Sequence, residues 1–139
     1  MSEAPETPFA SRRLLLDTHV WLWWKADDRR LGRHTRHAIA TAAEVRFSAA
    51  SAWEIAIKTA AGKLSPPATS NLVEEIGRDG FQPLPVTLAH AEELRALPAL
   101  HRDPFDRMLV AQARVEGLTL VTSDERLASY DVGLLRATE

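Results

Sequence analysis

Four carboxylates, Asp17, Glu54, Asp106 and Asp124, stand where an apolar run gives way to polar residues or where a helix should begin. They are far apart in the chain. In a parallel α/β sheet, however, strand ends and first helical turns meet at one edge. Acids gathered there repel one another unless they share a cation. The chemistry this suits is that of a hard divalent ion, magnesium or manganese, acting on an anionic substrate. Magnesium takes oxygen ligands, keeps several waters and completes its shell with substrate phosphate. It makes a bound water a better nucleophile and offsets charge developing on the phosphoryl group. Four acids leave room for one ion, or for two about 3.5–4 Å apart.

Each acid also has a capping explanation. Ser51-Ala52-Trp53-Glu54 has the spacing of a capping box, with Glu54 bonding back to the Ser51 main chain. In Asp103-Pro104-Phe105-Asp106, Asp103 suits the N-cap, Pro104 the first helical position, and Asp106 the positive helix end. Asp17 and Asp124 could each start a helix. Singly, capping accounts for any one of them. Together it does not explain why all four enter from one side: Asp17 and Asp124 follow the apolar runs LLLD and LTLVTSD, and Glu54 and Asp106 fall in first helical turns. Asp103 is therefore assigned to capping and the other four to the metal.

The elements that must position these acids alternate along the chain. Strands are expected at 12–16, 45–49, 118–122 and 132–136, with the two-proline run 81–86 at most an edge strand. Helices are expected at 20–25, 33–43, 51–61, 71–78, 87–97 and 103–116, with a helical turn at 126–130. This predicts an α/β fold of three layers, its mostly parallel central sheet of four to five short strands flanked by helices. Residues 1–11 read as a flexible N-terminal extension and 12–139 as a single domain. Trp21, Trp23 and Trp24 share one short helix, with Trp23 expected near the surface at a protein contact.

Bulk properties narrow the function. With 45% hydrophobic and 26% charged residues, the 139-residue chain has the composition of a folded globular protein. A net charge of −2 argues against indiscriminate nucleic-acid binding, but without the four acids the remainder carries +2, so local basic patches remain available. The absence of cysteine excludes disulfides, a thiolate zinc site and a thiol nucleophile. No apolar run approaches a membrane span, and the opening MSEAPETPFA lacks an export signal's basic head and apolar core. The expectation is a cytoplasmic protein.

Three motifs then occur in order: LLLDTHVWLWW, SAASAWEIAIKTAAGKL and HRDPFDRMLVAQARVEGLTLVTSDERL. Over residues 14–136 the chain resembles PIN-domain proteins, and among them the VapC-type toxins of bacterial type II toxin–antitoxin pairs. The resemblance implies a magnesium- or manganese-dependent endoribonuclease, commonly a homodimer, held silent by a small cognate antitoxin. It assigns Asp17, Glu54, Asp106 and Asp124 as the family's catalytic and metal-binding acids. Thr18 and Thr122 flank them and are expected to orient a carboxylate or a water. Lys58, four residues after Glu54, and Arg102 are the candidates for substrate phosphate; a plain surface ion pair is the alternative for Lys58. His101 lies close to DPFDR, but no histidine enters the expected catalytic set. Two rival readings are weighed. One is a metal-dependent DNA or structure-specific nuclease. The other is a non-enzymatic, magnesium-binding receiver-like signalling domain, against which the DTH motif and the lysine-free stretch 118–139 argue.

Overall fold

Three consecutive leucines at 14–16 demand burial on both faces of the pleat, which only an inner strand provides. The computed structural model describes residues 12–139 and places this run in β1 (Arg13–Leu16), solvent-free from Leu14 onward. β2 (Glu44–Ser48) and β4 (Thr119–Thr122) flank it, and β3 (Gln82–Leu84) and β5 (Leu134–Arg136) form the edges. The order is β3-β2-β1-β4-β5, and every pairing is parallel. The predicted sheet is thus realised as five short parallel strands, with the proline-bearing segment at an edge. The extension expected at 1–11 lies outside the described residues.

Parallel strands need crossovers, and helices supply them. They are α1 (Thr18–Ala26), α2 (Arg33–Thr41), α3 (Ala49–Ala60), α4 (Leu72–Arg78), α5 (Leu88–Ala96) and α6 (Pro104–Glu116); a 3-10 turn covers Glu125–Ser129. The side-chain alternation of β1 divides the core. Leu14 and Leu16 pack with Trp21, Phe47, Ile39 and Ile55 on the face covered by α1 to α4. Leu15 packs with Leu109, Val110, Leu120 and Tyr130 on the face covered by α5 and α6. The result is three layers. Trp21 and Phe47 lock the first face with ring centroids 5.2 Å apart. On the second, the fully buried Gln112 of α6 accepts from Ser48 Oγ at 2.6 Å and donates to the Pro85 carbonyl at 3.3 Å, tying α6 to the ends of β2 and β3.

The surface tryptophan is not the expected one. Trp23 is only half-exposed, packs against the first core and carries the Arg30 guanidinium 4.7 Å from its ring centre. The exposed ring is Trp53 of α3, at 64% exposure, edge-on to Phe105 of α6 at 5.5 Å. Of the four arginines at 29, 30, 33 and 36, Arg30 pairs with Asp28 and Arg36 with Asp27. No helix among the described residues is long and apolar enough to cross a membrane.

Strand order reverses between β1 and β4, so the carboxyl ends of these strands bound a crevice of the kind where parallel α/β sheets bind ligands. The Asp17 N–H donates to the Val121 carbonyl at 2.9 Å, carrying the β1–β4 ladder one residue past β1 and fixing Asp17 at that crevice.

Candidate active site

Four elements bring the four acids to one cleft of about 350 Å³, lined by Asp17, Glu54, Asp106 and Asp124 together with Lys58 and Arg126. Asp17 is the N-cap of α1: Oδ1 accepts from the Val20 N–H at 2.8 Å and Oδ2 from the Ser123 N–H at 3.1 Å. Capping and site geometry therefore coincide, because the bonds that start the helix also aim the carboxylate. Asp124 caps the 3-10 turn by accepting from the Arg126 N–H at 3.0 Å. Asp103 caps α6, its Oδ1 accepting from Phe105 at 2.8 Å and Asp106 at 3.1 Å, which places Asp106 in the first turn.

Glu54 departs from the capping-box expectation. The N-cap of α3 is Ser48, whose Oγ accepts from the Ala50 N–H at 3.0 Å, so the helix begins before Ser51. Glu54 then lies in the second turn, not the first, and its carboxylate is turned to other partners. It is buried instead against Thr18, whose Oγ1 donates to Oε1 at 2.5 Å, and Lys58, whose Nζ donates to Oε2 at 2.5 Å. Thr18 Oγ1 and Ser51 Oγ lie 2.9 Å apart. An ionised carboxylate only accepts, so Thr18 commits its proton to Glu54 and Ser51 completes a relay from behind.

The electrostatics are those of crowded acids. Burial pushes the Asp106 carboxyl up to about 7, reinforced by the charges of Asp103, Asp17 and Glu54 and opposed by His101. Burial also raises Asp17, against hydrogen bonds from Thr122, Val20 and Ser123 that favour its ionised form. Asp124 goes the other way, lowered to about 2, chiefly by its hydrogen bond with the Arg126 side chain. Lys58 is raised by its bond to Glu54. Five carboxyl groups, counting Asp103, thus line a cleft with Lys58 and Arg126 as its permanently charged cations.

Two residues of this site were not in the expected set. His101, from the loop before α6, sets its Nε2 2.9 Å from Asp124 Oδ2 and 3.3 Å from Asp106 Oδ2. Its Nδ1 accepts from the Asp103 N–H at 3.4 Å, so the Nε2 proton faces the two acids. Among the described residues, His101, Asp106 and Asp124 are the group whose possible ligand atoms all lie within 4.8 Å of one another; Asp17 and Glu54 share the cleft but not that compact set. Arg126 grips both oxygens of Asp124, with Nε at 3.0 Å and Nη2 at 2.9 Å. Arg102 is exposed and does not line the cleft, so Arg126 occupies the place expected for it. Thr122 accepts from the Asp124 N–H at 3.0 Å and its side chain hydrogen-bonds Asp17, bridging the two strand-end acids.

An all-parallel sheet with acids converging at its switch point defines a class of three-layer α/β domain. The match to the PIN-domain family model over residues 14–133, with the relatives below, places the chain in that class by descent: it belongs to the PIN-domain family. Within the family it is VapC-like. It is 35% identical over 123 residues to ribonuclease VapC22 of Mycobacterium tuberculosis, an alignment covering 84% of this chain and 91% of that one. Its fold is similar to VapBC2 of Rickettsia felis bound to a promoter DNA fragment, at a TM-score of 0.67 and 13% identity over 88% of this chain and 97% of the other. DNA-bound VapBC of Salmonella typhimurium is comparable, with a TM-score of 0.65 and 20% identity over 90% and 98% of the respective chains.

Proposed function

We propose that this chain is a divalent-metal-dependent endoribonuclease and the toxin half of a type II toxin–antitoxin pair, with Asp17, Glu54, Asp106 and Asp124 as its metal-holding acids. The observation that carries the reading is the convergence of those acids, from β1, α3, α6 and β4, on one cleft. The donor set fits magnesium or manganese: carboxylate oxygens predominate, Lys58 and Arg126 relieve only part of their mutual repulsion, and the imidazole of His101 is compatible with manganese. An ion held there would supply the positive charge that draws a phosphodiester and lowers the pKa of an attacking water.

The protein's own residues do the rest. Main-chain donors from Val20 and Ser123 hold Asp17 rigid, and the Ser51–Thr18 relay holds Glu54, so the acids need little reorganisation when a substrate arrives. Lys58, reaching from Glu54 to the cleft, is placed to meet a substrate phosphate. The VapBC complexes similar to this fold support a small antitoxin as partner. So does an apolar groove of about 860 Å³ between α1 and residues 64–69, which shares His19 and Ser123 with the acid cleft. A homodimer and a cytoplasmic location complete the reading.

The test is cleavage of labelled RNA and DNA by the wild type and by Asp17→Asn, with magnesium and with a chelator. RNA cleavage should require both the metal and Asp17. Cutting that persists in chelator or in the variant defeats the mechanism, and a preference for DNA replaces the substrate.

A further inference from the structure

Asp124 differs from its three partners in having no acceptor capacity left. A carboxylate offers about four lone-pair positions. Oδ1 takes the Arg126 N–H at 3.0 Å and Nε at 3.0 Å; Oδ2 takes Nη2 at 2.9 Å and His101 Nε2 at 2.9 Å. Asp17 and Glu54 have no such double grip from one side chain: Asp17 is held by main-chain donors and the Thr122 hydroxyl, Glu54 by one hydroxyl and one ammonium. An ion ligated directly by Asp124 must therefore displace a donor.

Which donor leaves is decided by anchoring. The His101 side chain is only 8% exposed, its Nδ1 is held by Asp103, its main-chain N–H donates to Tyr130 Oη at 3.0 Å, and it bridges to Asp106 as well. The Arg126 side chain is 76% exposed. The fork is bidentate, the stronger kind of ion pair, but its guanidinium faces solvent, so it can trade the carboxylate for water or another anion without leaving a buried cation unpaired. The Arg126 main-chain bond to Oδ1 can stay while its guanidinium swings away.

We infer that Arg126 is an exchangeable latch: it chelates Asp124 in the metal-free protein, is displaced when the ion arrives, and then receives a phosphate of the RNA backbone at the mouth of the same cleft. The inference rests on the metal-nuclease reading above and extends it to a residue that reading does not use. The chemistry of the exchange is conservative, because the planar guanidinium fork that fits a carboxylate fits a phosphate equally well. The exchange adds one net positive charge to a cleft crowded with acids: a divalent cation enters beside Asp124 while the guanidinium moves to an incoming phosphate anion. No covalent bond changes.

The test uses the full chain and manganese alone, with the free ion followed by electron paramagnetic resonance, for wild type, Arg126→Met and Arg126→Lys. Thermal melts of all three in chelator establish that they are folded. Without the fork, Asp124 is open to the ion, so the methionine variant should bind manganese about two- to fivefold more tightly than wild type. The lysine variant should follow it, because lysine keeps the charge but cannot grip both oxygens. In cleavage assays both variants should show a raised KM for RNA. Unchanged or weaker manganese binding in Arg126→Met overturns the latch. Wild-type affinity in Arg126→Lys overturns it too, since charge alone would then account for the effect. Tighter metal with an unchanged KM removes the phosphate role. A wild type that binds no manganese brings down the metal reading and the latch together, and is recognised before any variant is compared.

Discussion

Asp106 concentrates the cost of assembling this cleft, and Asp106→Asn should make the metal-free protein more stable, not less. Its carboxyl is raised from 3.8 to about 7, so the ionised form is disfavoured in the fold. At 1.36 kcal/mol per pH unit, a shift of that size corresponds to a penalty of about 4 kcal/mol above pH 7. The raised pKa fixes the sign. The folded state binds the proton more tightly than the unfolded state, so the relative stabilisation is full below about pH 4 and is lost as pH rises through 7. At pH 5 the residual penalty is about 1.5 kcal/mol. The side chain is a fifth exposed and solvent screens part of the effect, so half these figures is the better expectation. Asparagine keeps an acceptor for His101 and adds no volume. Denaturant or thermal unfolding in chelator should therefore show Asp106→Asn about 2 kcal/mol more stable than wild type at pH 8, with the difference falling to about 0.8 kcal/mol at pH 5. Magnesium should reverse the ranking by stabilising the wild type alone. Equal stabilities at pH 8, or a gain that does not depend on pH, would refute the picture of acids held together against their charge.

Other outcomes follow from the same geometry. Metal affinity should rise about tenfold per pH unit up to pH 7 and then level off, since the ion must displace the Asp106 proton; calorimetry in buffers of different ionisation enthalpy at pH 6 should detect about one proton released. Thr18→Val keeps the volume but severs the relay to Glu54, and should slow RNA cleavage about tenfold or more with little change in melting temperature. Gly32→Ala should lower the melting temperature by several degrees, because its Cβ would collide with the main chain of Thr138 and Glu139, and the Gly32 N–H bond to the Ala137 carbonyl at 2.8 Å would have to give way.

What could be read from the sequence was whatever adjacency records. Asp17 and Asp124 directly follow buried strands, so their place at the sheet edge is written next to them, and Asp106 is fixed by its own helix start. Ser51 misled because serine three residues before a glutamate is the sign of a capping box, while Ala49 and Ala50 read equally well as strand or helix. The chain turns at Ser48, and Glu54 moves a turn deeper. His101 and Arg126 were illegible for another reason. His101 reaches Asp124 only because the loop before α6 folds over the turn after β4, and the pairing of Arg126 with Asp124 two residues away is as local as that of Arg30 with Asp28, so its spacing does not mark it as part of a cleft. The tryptophans likewise show a limit of helical geometry. It separated Trp21 from Trp23, but Arg30 covers Trp23 from outside its own helix.

The bond from the Ser123 N–H to Asp17 spans 106 positions, and the β1–β4 ladder beneath it joins equally distant parts of the chain. During synthesis, then, the first acid waits in an incomplete sheet until the chain has been made past Ser123. Until β4 docks, Asp17 has neither its second donor nor Asp124 beside it. A ribosome making this protein is thus exposed to a finished cleft only after the last site residue has left its tunnel. The parallel crossover that builds the site also postpones it.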